Sequence, residues 1–268
     1  MPDINFPDFV ESTLDSEQVK NLTVPATKSI GQAFGDIFDL CFGGLHEYVE
    51  KKRLIHAKNI EDFKKELTTS VSEIPPENLA EPKPSIVGPA LEASKYYYEE
   101  KEIRDMFKRL IVNSMDNRKA GSVHPSFTEI IKQLSPLDAQ NLKLFDKRQS
   151  YPICEYHIIS DGNKGYRTLL TNVFLDNPNC TKEYEQSVSF SSLNRLELVN
   201  VDFMTYMTDA ALYEKFEKSE YYQALIRQLS YTVDKKRIEI KRGQVSVTPL
   251  GSAFLRVCLT PLPNELTP

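Results

Sequence analysis

Apolar side chains in the first half of this chain recur mostly at three- and four-residue intervals, which predicts helices. From Lys28, the positions Ile30, Phe34, Ile37, Phe38, Cys41, Leu45, Tyr48 and Val49 trace one face of a helix running to about Arg53. Leu54 to Val71 predicts a second, carrying Ile60, Phe63 and Leu67, and Ile74-Pro75-Pro76 closes it because two prolines cannot continue a helix. The proline-rich stretch 75–89 reads as an extended connection. Ala90 to about Met115 predicts an amphipathic helix, with Leu91, Ile103, Met106, Phe107, Leu110 and Ile111 on one face and Glu102, Arg104, Asp105 and Lys108 largely on the other. Residues 1–27, with Pro2, Pro7 and Pro25 among polar positions, predict an irregular N-terminal arm.

Two helix starts follow in close succession. Ser126 and Glu129 have the spacing of a capping box ahead of Phe127, Ile130, Ile131 and Leu134, and Ser135, Pro136 and Asp138 repeat the device. Ile153 to Ile159 favours a strand, and Asp161-Gly162-Asn163 and Asn177-Pro178-Asn179 are turn chemistry. Glu183 to Leu198 and Asp209 to Leu229 suit helices. Arg237–Lys241 and Gln244–Thr248 read as two short strands of a hairpin about Arg242-Gly243, and Thr248–Phe254 turns into a closing helix that places Leu255 and Cys258 inward.

This order resembles a winged helix. The resemblance makes the L-x-R-L-x-L-V stretch, Leu193 to Val199, the recognition helix, Gly243 the tip of the wing, and about 209–229 a helical insertion. The expected fold is mainly α (α+β): an irregular arm at 1–27, a helical N-terminal domain at 28–120, a C-terminal winged-helix-like domain with a small β-wing at 121–260, and a tail at 261–268.

Composition narrows the function classes. With 268 residues, 40% hydrophobic and 26% charged, most of the chain is expected to fold, as one or two domains. A net charge of -5 argues against a main task of coating nucleic acid. Cys41, Cys154, Cys180 and Cys258 have no C-x-x-C pair, so neither a zinc site nor a disulfide framework is indicated, and reduced thiols are expected. The N-terminus lacks a secretory pattern and no run of about 18 apolar residues occurs, so a cytoplasmic protein is expected.

Candidate chemistry is sparse. Arg195, Lys235, Lys236, Arg237, Lys241 and Arg242 are the candidate nucleic-acid or partner surface, where cations would meet phosphates. Glu183, Glu185 and Glu197 on the same helix segment as Lys182 and Arg195 suit a major groove poorly, and a charge-guarded strand edge accounts for the wing cations equally. Gly31 and Gly35 form a G-x-x-x-G that raises membrane association of residues 28–53, against which stand Asp36 and Asp39. His46, His56, His124 and His157 lie in no metal-ligand pattern, and His124 suits a cap contact beside Ser126. The Tyr98–Glu102 run suits a solvated helix face. Tyr96-Tyr97-Tyr98 and Tyr221-Tyr222 suit a partner surface or a domain junction. No phosphate-binding or hydrolase motif is present, and no catalytic residue, cofactor or metal is expected.

Four blocks carry a family resemblance: Glu73-Ile74-Pro75, Gly88–Tyr96, His124-Pro125-Ser126-Phe127 and Leu134-Ser135-Pro136. In this order they resemble the Abi-alpha (abortive infection alpha) family, over roughly residues 28–260. The resemblance implies a part in bacterial defence against phage and brings no catalytic residues. The expected function is therefore a non-enzymatic component of abortive infection, acting through an unidentified protein partner or nucleic acid. The alternatives are a winged-helix DNA-binding regulator and a membrane-perturbing effector.

Overall fold

The computed structural model describes residues 25–42, 50–97, 99–160, 165–230 and 236–265. Two compact units share them, one built from the chain up to Gln133 together with 256–265, the other from Leu134–Leu255.

The first unit is helical: α1 (Pro25–Phe42), α2 (Glu50–Ser72), α3 (Pro84–Ser94), α4 (Lys101–Ser114) and the short α5 (Phe127–Ile131). Phe34, Phe38 and Phe42 repeat every fourth residue and form the buried face of α1, Phe38 stacking on Phe42 at 4.4 Å. Phe63 and Leu67 of α2, Val87, Ala90 and Leu91 of α3, and Phe127 and Ile131 of α5 complete the core around α4, whose residues Met106 to Ser114 are all buried.

Several expectations change here. Pro25–Lys28 already belong to α1, and α2 begins at Glu50 rather than Leu54. The proline stretch is not wholly extended, because Pro84 occupies the first position of α3 and Pro89 lies inside it. A proline at the start gives up no needed hydrogen bond, and the carbonyl four residues before Pro89 belongs to Ser85, an exposed residue. The helix expected from Ala90 to Met115 is two helices, interrupted between Ser94 and Lys101. Ser126 makes no capping bond to the helix; its hydroxyl lies 2.7 Å from Nδ1 of His124, which also accepts the Ser126 N–H, and Glu129 instead receives Lys132 at 2.9 Å. The first unit extends to Gln133 rather than ending at 120, since α5 packs on α3 and α4. It also includes the segment after Leu255, where Asn113 donates to Val257 O at 2.7 Å and Arg109 to Leu259 O at 3.3 Å across the π-turn Leu255–Leu259.

The second unit contains α6 (Pro136–Lys143), β1 (Ser150–Ser160), β2 (Tyr166–Val173), α7 (Glu183–Arg195), β3 (Val199–Asp202), α8 (Glu214–Lys218), α9 (Glu220–Ser230), β4 (Lys236–Val247) and α10 (Pro249–Phe254). The strands pair antiparallel in the order β2-β1-β4-β3 as a curled half-barrel. At α6 the capping box is formed: Ser135 Oγ accepts from Asp138 N at 3.1 Å, and Asp138 Oδ2 accepts from Ser135 N at 2.8 Å.

The hairpin expected about Arg242-Gly243 is absent. β4 is one strand, paired with β1 without a break from Lys236↔Ser160 to Ser246↔Ser150. Its inward positions change face midway. Ile238 and Ile240 point toward the cluster of Cys154, Tyr156, Leu170, Tyr213 and Phe216 under α8 and α9, whereas Val245, in the other phase of the alternation, is wholly buried beside β3. β1 does the same, with Tyr151 and Ile153 in one phase and Cys154 and Tyr156 in the other. The sheet serves a separate apolar layer on each face, and this phase change gives the sequence the look of two strands and a turn. The helical insertion between β3 and β4 is present as Ala210–Tyr213, α8 and α9, interrupted at Ser219. The turn expected at Asp161-Gly162-Asn163 lies outside the described residues.

Candidate functional site

Strand geometry decides the fate of the basic cluster. Successive side chains of β4 leave opposite faces, so Arg237 and Lys241 share one face with Glu239 while Lys236 and Arg242 share the other. Arg237 lies 2.7 Å from Glu239, and Arg242 stacks 5.3 Å from the Tyr213 ring. Arg195 is exposed in the last turn of α7, where a cation suits the helix dipole. Lys235 lies outside the described residues. The five described cations are thus spread over two strand faces and a helix end, and do not form the single wing patch expected.

The remaining candidates are mostly occupied within the fold. His157 is buried between Glu155, at 2.9 Å, and the ring of Tyr166, stacked at 4.0 Å, and Thr171 also donates to Glu155. Tyr97 donates to Lys132 O, and Tyr221 and Tyr222 pack on Tyr156, leaving Tyr96 exposed; Tyr98 and His46 lie outside the described residues. Burial holds the Cys154 and Cys258 thiols far above the ordinary thiol range, and the four cysteines are unbridged. Among the described residues no three His, Cys, Asp or Glu side chains are placed to hold a metal, and no helix is long and apolar enough to cross a membrane. The apolar face of α1 is used in packing, and Asp39 on its outer side pairs with Lys64 at 2.8 Å.

A buried polar network ties α6 to α7. Ser189 donates to Asp138, Asn141 Nδ2 donates to Gln186 Oε1 at 2.7 Å and to Ser189 Oγ at 2.9 Å, and Asn177 donates to Asn141 Oδ1 at 2.7 Å. Its five side chains are all buried and bonded to one another, which fixes the helices in one register.

One feature that faces outward is the loop after β3. Asp202 organises it: its carboxylate accepts the Met204 N–H at 2.7 Å and the Thr205 hydroxyl, and Gln244 of β4 donates to Thr205 Oγ1 at 2.8 Å. Those donors hold the Asp202 carboxyl below its ordinary range, the Thr205 hydroxyl contributing most. Tyr213 closes the far side by donating to Gly243 O at 2.7 Å and accepting from Met207 N at 2.9 Å. Burial raises the Tyr213 phenol, so it remains a donor. Gly243 has no Cβ because the Phe203 ring and Asp202 O lie 2.5 and 2.7 Å from where one would stand. On this braced turn Met204 is 87% exposed and Tyr206 57% exposed.

An adaptable thioether and an amphipathic phenol presented at low entropic cost suit contact with another protein. Neither residue carries a helical or strand period, so the periodicity that reveals core positions passes over them. The signal available in the sequence was Asp202 two residues before Met204, an Asx-turn spacing.

The class these features define is an α+β protein with a helical unit and a half-barrel unit that presents a braced apolar loop. The abortive infection alpha family model matches residues 55–258, most of the chain, and the chain belongs to that family. No curated protein and no solved structure matches.

Proposed function

We propose that this protein acts in abortive infection as a component without chemistry of its own, and that it works by contacting another protein through the loop Phe203–Met207. Family membership supports the defence role. The observation that carries the contact reading is the loop itself: Asp202, Gln244, Tyr213 and Gly243 hold its backbone while Met204 and Tyr206 stand in solvent. Binding residues concentrate on loops positioned by a rigid scaffold, which is how this loop is held.

The test is a full-length chain carrying Met204→Ser and Tyr206→Ser. Both side chains are exposed, so the melting temperature is expected to stay within about 2 °C of the native protein, since exposed substitutions of this kind cost little. Phage protection is expected to fall by about tenfold or more, the loss that accompanies removal of an aromatic anchor worth at least 1.4 kcal/mol. Full protection by the folded double variant would remove the loop from the mechanism.

A further inference from the structure

In the first unit the chain's last described residues are held in the manner of a bound ligand. Lys108 and Arg109 of α4 are 7% and 8% exposed. The Glu265 carboxylate receives Lys108 Nζ at 2.8 Å on one oxygen, and Arg109 Nε at 2.8 Å and the Leu262 N–H at 2.8 Å on the other. Glu66 lies 3.4 Å and Asp105 3.8 Å from the Lys108 ammonium, and Arg104 lies 3.5 Å from Glu66. Glu265 thus joins Lys108, which also meets Glu66 and Asp105, to Arg109, whose ion-pair partner it is. Leu262, three residues before Glu265, is the apolar anchor, while Thr260, Pro261 and Pro263 are exposed.

We propose that Lys108 and Arg109 form a carboxylate-peptide site which Leu262–Glu265 fills in cis, and which accepts from a partner protein a segment with an apolar residue three positions before a glutamate. Lys108, Arg109 and burial of the Leu262 side chain hold this short segment, so its exchange requires only local opening. Loss of the Glu265 carboxylate takes from the buried Arg109 guanidinium its ion-pair partner, so an equivalent carboxylate is favoured in its place. Tethering gives the cis tail a high effective concentration and keeps the site closed to weak competitors.

The experiment uses the full-length chain, native and Glu265→Gln, and a fluorescent peptide of residues 260–268, TPLPNELTP, read by anisotropy. The peptide is expected to bind the Glu265→Gln chain about tenfold or more tighter than the native chain, because the competing cis carboxylate is gone. The same peptide with glutamine in place of its glutamate is expected to bind neither, and Lys108→Met in the Glu265→Gln chain is expected to abolish binding. Equal affinity for both chains, or indifference to the peptide's glutamate, would overturn the proposal. A Glu265→Gln chain that no longer folds by circular dichroism would overturn it too, because the tail would then be a permanent part of the fold.

Discussion

Gly251 shows how strictly a single position is set. A Cβ there would stand 1.9 Å from Leu198 O, because Thr248, capping α10, also draws its own N–H to Leu198 O at 3.1 Å and donates its hydroxyl to Glu197 O. The backbone of the α7–β3 turn thus lies directly on the first turn of α10. Gly251→Ala is expected to lower stability by roughly 3 kcal/mol, since backbone rather than a movable side chain must give way; chemical denaturation would measure it. Glu265 sets a pH dependence in the other unit. Burial alone would raise its carboxyl, but the bonds from Lys108, Arg109 and Leu262 N–H outweigh that and hold it below the usual glutamate range. Its stabilising contribution is therefore present above the unfolded glutamate value, about 4.3, and is lost as pH falls through the lower folded value. Below about pH 4.3 the native melting temperature is expected to fall more steeply than that of Glu265→Gln, and parallel curves would remove this residue from the acid response.

Elements were legible where local chemistry and burial agree. The Ser135-Pro136-Asp138 cap, the strand around Ile153–Ile159 and the apolar face of α4 stand where the residues place them. Legibility ended where one local contact displaces another or a tertiary contact overrides the local signal. Ser126 turns to His124 two residues away instead of to its helix, Pro84 starts α3 where its missing N–H is not needed and Pro89 is tolerated inside it, and Gly243 answers the approach of Phe203 rather than a turn. The basic residues about Gly243 do not share one face, since a continuous β4 sends them to both. The polar network joining α6 and α7 was invisible because Asn141, Asn177, Gln186 and Ser189 meet across 36 to 48 positions of sequence. Asn141→Ala leaves Asn177 and Gln186 without their buried partner and is expected to cost about 3 kcal/mol. A loss under about 1 kcal/mol by denaturant titration would mean the helices keep their register without it.

For the whole molecule, the two units divide their roles. The helical unit holds its own tail in a charged site, and the half-barrel unit carries sheet cores on both faces and the braced loop with Met204 and Tyr206. Each is proposed as a place where another protein acts on the chain. The most direct test is phage plating and culture survival, at low and high multiplicity of infection, for hosts carrying the native gene, the Met204→Ser/Tyr206→Ser gene or an empty vector. The native gene is expected to reduce plaques and protect at low multiplicity while the culture collapses at high multiplicity, and the loop variant to behave as the empty vector. Unchanged plating with the native gene across a broad phage panel would contradict the defence role, and undiminished protection by the folded loop variant would contradict the contact through which it is proposed to act.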